Sequence, residues 1–278
     1  MSVPTSERIS LRARIPEQLI SNEKVVFVEA FVVLVLVWSG LAHGLEMTDT
    51  ISSPMLVGAS LYELLISMEW LIHVQTTLQR SLYGFVVTMV VGTFLGILMG
   101  MSDFWRDALK DFVTIGLALP SLFAVVFVAM WYAPTGLVTE LTPTVAAMTI
   151  GFPFVTQNVY QGIRGVDMDL VDMSNSFEVS RREMIRHVLL PSVLPEWFSG
   201  VRYAFAIAWK ITTLAELIVA EIGVGFMINE GMRTLSLTSV LTWTVLFLIV
   251  ILFVEYGILQ QIEKRLFAWR QSEGIAWA

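Results

Sequence analysis

The sequence predicts an all-α, polytopic membrane helix bundle with about six transmembrane helices. Three observations carry this prediction. The 278 residues are 56% hydrophobic, with a mean hydropathy of +0.72, above the usual range of soluble domains. The apolar residues gather into runs of roughly 20, the length a helix needs to cross the hydrocarbon core. Lysine and arginine fall on one side of the alternation that these runs impose.

The polar, charged stretch 1–22 precedes the first apolar run, residues 25–42. That run starts too deep for an ordinary signal peptide and is long enough to span, so it reads as a retained transmembrane helix. Ser52-Ser53-Pro54 is a helix-start signal, and the partly apolar stretch 51–80 is expected to lie as an amphipathic helix on the membrane surface. Five further spans are expected at 82–101, 112–132, 141–160, 198–220 and 240–262. Pro120 in the third and Pro153 in the fourth are tolerable when neighbours satisfy the freed carbonyls. One domain fits this length: a cytoplasmic segment 1–24 and a single transmembrane domain 25–278, with a polar loop at 163–195.

With the N-terminus in the cytoplasm, the inside segments hold thirteen basic residues: Arg8, Arg12, Arg14, Lys24, Arg106, Lys110, Arg164, Arg181, Arg182, Arg186, Lys264, Arg265 and Arg270. The outside segments hold Arg80 and Arg233, and Arg202 and Lys210 lie within the fifth span. The bias places both termini and the polar loop in the cytoplasm.

The second span carries Gly84, Thr88, Gly92, Gly96 and Gly100 at steps of four, along nearly one helix face. Small residues so spaced let two helix backbones approach closely. They mark either ordinary membrane packing or a surface that slides against another bundle.

Several chemistries are missing. There is no cysteine, which excludes disulfides and thiolate metal sites. His43, His73 and His187 show no ligand spacing, so no metal site is expected. No G-x-x-x-x-G-K-[ST] loop, H-E-x-x-H or G-x-S-x-G occurs. A net charge of −7 does not suggest nucleic acid. A transporter or channel subunit is favoured over a membrane enzyme, and active transport needs an ion gradient or a partner ATPase.

The polar island 163–195 separates two long apolar spans and carries Arg164, Arg181, Arg182 and Arg186. Leu170, Met173, Phe177, Met184 and Val188 fall on helical spacing, with Asp172, Arg181, Arg182, Glu183 and Arg186 between them. The pattern reads as short amphipathic helices, whose apolar side fits a groove on a cytoplasmic partner with a charged rim; a solvated connecting loop fits it equally. Pro191 and Pro195 are expected to stop the helix ahead of Trp197, an interfacial anchor.

The island resembles the cytoplasmic EAA loop of the permease subunits of ABC importers. That pattern is Glu-Ala-Ala, three residues, Gly, nine residues, then Ile-x-Leu-Pro. Here the spacing lands on Asp172-Met173-Ser174, Glu178 and Val188-Leu189-Leu190-Pro191. Glu178 departs from the family's glycine, which implies a continuous helix or a differently shaped turn. Further similarity to the taurine, sulfonate, nitrate and bicarbonate subfamily runs from about residue 52 to 270. It includes Arg80-Ser81-Leu82-Tyr83-Gly84-Phe85, Ala118-Leu119-Pro120, Trp131, Gly200-Val201-Arg202, Ala215-Glu216 and Gly223-Val224-Gly225.

The resemblance implies a type I ABC importer permease architecture in the cell membrane. It also implies a second permease subunit, as a homodimer, cytoplasmic ABC ATPases docked on the loops, and an extracytoplasmic solute-binding protein. It implies no cofactor on this chain, with ATP and Mg held by the ATPase. The coupling residues it points to are Asp172, Met173, Ser174, Phe177, Glu178, Arg181, Arg182, Leu190 and Pro191. Pro120, Trp131, Lys210 and Glu216 are candidates for the translocation pathway.

Ionisable residues inside a span are functional candidates. Lys210 and Glu216 are six residues apart and point about 120° from each other, so they are not a simple same-face pair. Lys210 either helps an anion pass or pairs with another span. Glu221, Gly223 and Gly225 mark the outer end and a tight turn. Outer acidic residues Glu46, Asp49, Glu63 and Glu69 argue against simple electrostatic capture of an anion. The alternative function is a self-contained secondary transporter or channel, weakened by the absence of a recognisable inverted repeat.

Overall fold

The computed structural model describes residues 23–44 and 52–266, and the described residues are helical without strands. Arg8, Arg12, Arg14, Glu46, Asp49 and Arg270 lie outside the described residues, and of Lys24 and Lys264 only the helical backbone is described. The chain divides into two compact units, 1–59 and 60–278.

In the first unit, α1 (Glu23–Gly44) covers the first expected span. Its apolar stretch, Glu29–Ala42, counts among the shorter apolar helices. The indole of Trp38 donates to Ser52 O at 3.0 Å. The helix-start signal holds: α2 (Pro54–Ser67) begins at Pro54, and Ser53 Oγ accepts the Leu56 N–H at 3.3 Å.

The expected surface helix 51–80 is divided instead. Met68, with φ 59°, ends α2, and α3 (Trp70–Met101) then runs 32 residues without a break. Arg80 is therefore not at the outer membrane surface but 7% exposed within this helix. The reason is a buried partner, Glu216, far away in sequence.

The expected third span is broken. α4 (Asp103–Ala118) and α5 (Ser121–Tyr132) meet at 105°. Pro120 forces Leu119 out of the helical region, to φ −67° and ψ 119°. Pro153 is tolerated, since α6 (Val138–Arg164) contains both Pro143 and Pro153. Pro153 also makes a contact: a Cβ on Gly116 would stand 2.5 Å from its Cγ, so α4 lies tightly on α6 there.

Beyond α6 come α7 (Met168–Ser176), α8 (Arg181–Met184), α9 (Leu190–Val219), α10 (Val224–Arg233), α11 (Leu237–Val254) and α12 (Gln260–Leu266). The expected helix stop at Pro191 and Pro195 does not occur. A π-turn over Ile185–Leu189, in which the Leu190 N–H reaches back to Ile185 O, joins α8 to α9. This wider turn accommodates the proline that follows. Trp197 Nε1 donates to Thr93 Oγ1 at 3.1 Å, tying α9 to α3.

Trp70–Met101, Val138–Arg164 and Leu237–Ile262 are each long and apolar enough to cross a membrane. The count reaches five if the two bent pairs, Asp103–Ala118 with Ser121–Thr135 and Arg181–Val219 with Val224–Arg233, are each one broken span.

The glycine ridge faces α6. A Cβ on Gly84 would come 2.9 Å from Ala147 Cβ, one on Gly92 2.6 Å from Val155 Cβ, one on Gly96 2.6 Å from Val159 Cβ, and one on Gly100 2.8 Å from Ile163 Cβ. Both numbers rise together, so α3 and α6 run parallel. Thr88 fits the gap left by Gly151 on the facing helix. α9 runs antiparallel to α6: Gly162 meets Val193 and Glu196, and Gly200 meets Val155 and Asn158. The core lies in these seams, with Val125, Ala146, Ala147, Ile150, Ile211 and Ala215 forming one buried cluster.

Candidate functional site

Two sites emerge, an exposed helical pair in the polar island and a buried polar knot at the α9–α10 turn. In the island, α7 starts at Asp167, whose side chain accepts the Asp169 N–H at 2.9 Å. α8 starts on a capping box: Ser180 Oγ accepts the Glu183 N–H at 3.3 Å and donates to Glu183 Oε2 at 2.7 Å.

Between them, Glu178 sits at φ 55°. The Val179 N–H bonds to Ser174 O and the Glu178 N–H to Asn175 O, both at 3.0 Å. This is a Schellman ending with Glu178 at its left-handed position. The helix is not continuous through Glu178, and the glycine-type turn survives with a residue that pays a steric cost there.

Met173 (51% exposed) and Phe177 (76%) project from this pair, with Leu170, Val179 and Ile185 also exposed. Asp172, Arg181, Arg182 and Arg186 are exposed, and Leu190 is exposed at the start of α9 beside half-buried Pro191. Ser174 alone among the candidate coupling residues is buried, its hydroxyl donating to Leu170 O at 2.8 Å. Arg164, at the end of α6, pairs with Asp103 at the start of α4.

At the other site, Glu216 on α9 is fully buried. Its carboxylate accepts from Thr77 Oγ1 at 2.7 Å, Arg80 Nη1 at 3.0 Å and the Gly225 N–H at 3.2 Å. Arg80 also donates to Ile222 O at 2.7 Å. The Val224 N–H donates to Thr77 Oγ1 at 2.9 Å, and the Gly223 N–H to His73 Nδ1 at 3.2 Å. Thus three successive N–H groups at the start of α10 are taken by side chains of α3 and α9. His73, Thr77 and Arg80 share one face of α3, each a turn from the next. Gly223 has φ 132°, and a Cβ there would collide with the Glu216 carboxyl group; a Cβ on Gly225 would stand 2.7 Å from Glu216 Cβ. Sequence reasoning named Glu216 but missed this partnership; the signal was the i, i+4, i+7 spacing of three polar residues in an apolar segment.

The four pathway candidates are not brought together as one site. Glu216 is enclosed in the knot. Lys210 is exposed on α9 and forms no ion pair among the described residues. Trp131 is 70% exposed and lines an open groove of about 440 Å³ with Phe127, Val128, Tyr132, Val145 and Thr149. Pro120 is exposed at the break between α4 and α5.

Residues 92–268 match the family described as binding-protein-dependent transport system inner membrane component. The chain belongs to this family. It is a membrane-embedded permease subunit of an ABC importer. Relatives include the putative aliphatic sulfonates transport permease protein of Bacillus subtilis (strain 168), 27% identical over 86% of each chain. The taurine transport system permease protein of Escherichia coli (strain K12) is 25% identical over 71% of this chain and 70% of its own. The nitrate import permease protein of Synechocystis sp. is 26% identical over 83% of this chain and 85% of its own. Among solved structures, the inward-facing MetNI methionine ABC transporter superposes with a TM-score of 0.60 at 18% identity, over 70% of this chain and 96% of that one. An amino acid ABC transporter superposes with 0.60 at 15% identity, over 74% and 97%. The permease family and these folds agree on an all-α importer-type bundle.

Proposed function

We propose that this permease, paired with a second copy of itself, forms the pathway for a small anion of the sulfonate, taurine, nitrate or bicarbonate type. A solute-binding protein delivers the anion on the outer side, and cytoplasmic ATPases, which hold ATP and Mg²⁺, drive the cycle. Both termini and the 163–195 segment face the cytoplasm. The basic bias supports this orientation, and it sharpens once Arg80 is removed from the outer count.

The exposed α7–α8 pair carries the coupling assignment. An apolar surface of Leu170, Met173 and Phe177, rimmed by Arg181, Arg182 and Arg186, is left exposed among the described residues and fits a groove on a soluble partner. Asp172, Ser174, Glu178, Leu190 and Pro191 shape and anchor that surface. For the pathway, Lys210, Trp131 and Pro120 offer exposed groups, whereas Glu216 fixes the backbone around it. The named relatives are permeases for aliphatic sulfonates, taurine and nitrate, each bearing an anionic group, which supports the substrate class. The test is co-purification with an ABC ATPase subunit from the same host. Replacing residues 173–178 by a Gly/Ser linker abolishes retention of the ATPase while membrane insertion is kept. Undiminished retention overturns the coupling assignment.

A further inference from the structure

The α9–α10 turn is held by hydrogen bonds that differ in one respect. Glu216 and Thr77 accept from Gly225 and Val224 inside the buried core, whereas His73 accepts from Gly223 at a half-buried position near the start of α3. The acceptor is Nδ1, so this bond exists only while that nitrogen is unprotonated and the ring proton sits on Nε2. The ring is fixed from two sides. It stacks on Phe226 of α10 at 6.3 Å and meets Trp243 of α11 edge-on at 5.3 Å. A second proton would set an imidazolium N–H against the Gly223 N–H, two donors with no acceptor between them.

We propose that His73 makes the start of α10 a proton-sensitive latch, closed when the ring is neutral and released at Gly223 when it is protonated. The charged groups on the surrounding elements are Glu69, which precedes α3, Arg80 on α3, Glu216 on α9, Glu221 in the turn, and Glu230 and Arg233 on α10; Glu196, Arg202 and Lys210 lie earlier on α9, and α11 carries none. Arg80 and Glu216 are committed to each other and to Ile222 and Gly225. They keep the rest of the knot in place while the Gly223 contact opens. Gly223 at φ 132° supplies a hinge that other residues rarely adopt.

The test is amide exchange of peptides covering residues 220–228 in the full-length protein in lipid nanodiscs. It is measured from about pH 8 to about pH 5, the window in which histidine changes charge, and corrected for the intrinsic pH dependence of exchange. Exchange in this segment rises as pH falls, by up to roughly tenfold per pH unit below the histidine pKa, while residues 138–164 stay unchanged. His73→Gln retains an acceptor but cannot titrate, so its profile is flat and protected. His73→Phe keeps a ring without an acceptor and exchanges fast at every pH. Identical profiles for the wild type and His73→Gln overturn the proposal, as does a rise that spreads equally through residues 138–164. The wild-type and His73→Gln comparison decides the matter even if His73→Phe fails to insert.

Discussion

Arg80 and Glu216 meet at 3.0 Å with side-chain exposures of 8% and 0%, joining α3 to α9 across a protein interior. Each also holds backbone of the intervening turn, Arg80 through Ile222 O and Glu216 through the Gly225 N–H. The more distant contact of Arg80 with Glu140, 3.8 Å with Glu140 69% exposed, adds little. Removing one partner leaves the other charged and buried, which costs about 3–5 kcal/mol. Arg80→Met and Glu216→Leu should each lower the unfolding temperature in detergent sharply. The double variant should lose less than the sum of the two. Full additivity would show that the charges do not depend on each other.

Gly96 lies so close to α6 that a Cβ would stand 2.6 Å from Val159 Cβ and 2.8 Å from Thr156 O. Gly96→Ala is expected to destabilise by about 1–3 kcal/mol, the usual cost of overpacking. Val159→Ala in the same chain should restore part of the loss, whereas Gly58→Ala, with nothing within 4 Å, should be neutral. Thermal unfolding of the purified variants reads this directly.

Glu178 occupies a left-handed position at φ 55°. An L-residue there costs roughly 1–2 kcal/mol that glycine avoids. Glu178→Gly should slow amide exchange over residues 174–180 or leave it unchanged, and a β-branched Glu178→Val should accelerate it. Faster exchange in Glu178→Gly would mean that the side chain itself holds the turn.

The exposed surface of α7 and α8 leads to separate expectations for charge and for apolar contact. Arg181→Ala with Arg182→Ala should make retention of the ATPase weaker and less sensitive to added salt, since rim charges are screened. Phe177→Ser should weaken it at every salt concentration. Co-purification across a salt series distinguishes the two patterns.

Lys210 is an exposed cation on α9 without an ion pair among the described residues, and its role in the pathway is read from uptake. Lys210→Met should reduce uptake of the transported anion into proteoliposomes holding the whole complex, with the ATPase still bound. Unchanged uptake of every solute tested, among taurine, an aliphatic sulfonate, nitrate and bicarbonate, would remove Lys210 from the pathway.

Amino-acid order by itself determined the helical class, the placement of most apolar segments, the glycine face of α3 and the amphipathic character of the 163–195 island. These are local or periodic properties, and the bilayer permits few alternatives to a helix for an apolar run. Order along the chain also marked Glu178 as the departure at a glycine position. Tertiary structure decided the rest, because the deciding groups are distant in sequence. Two prolines with similar apolar surroundings behave differently: Pro120 turns the chain by 105°, whereas Pro153 stays within a helix and receives Gly116. Pro191 passes into α9 because a π-turn precedes it. Arg80 reads as the end of an outer surface helix until Glu216, 136 positions away, takes up its charge inside the bundle. A buried ion pair needs both partners and their backbone contacts at once, and only the folded chain brings them together.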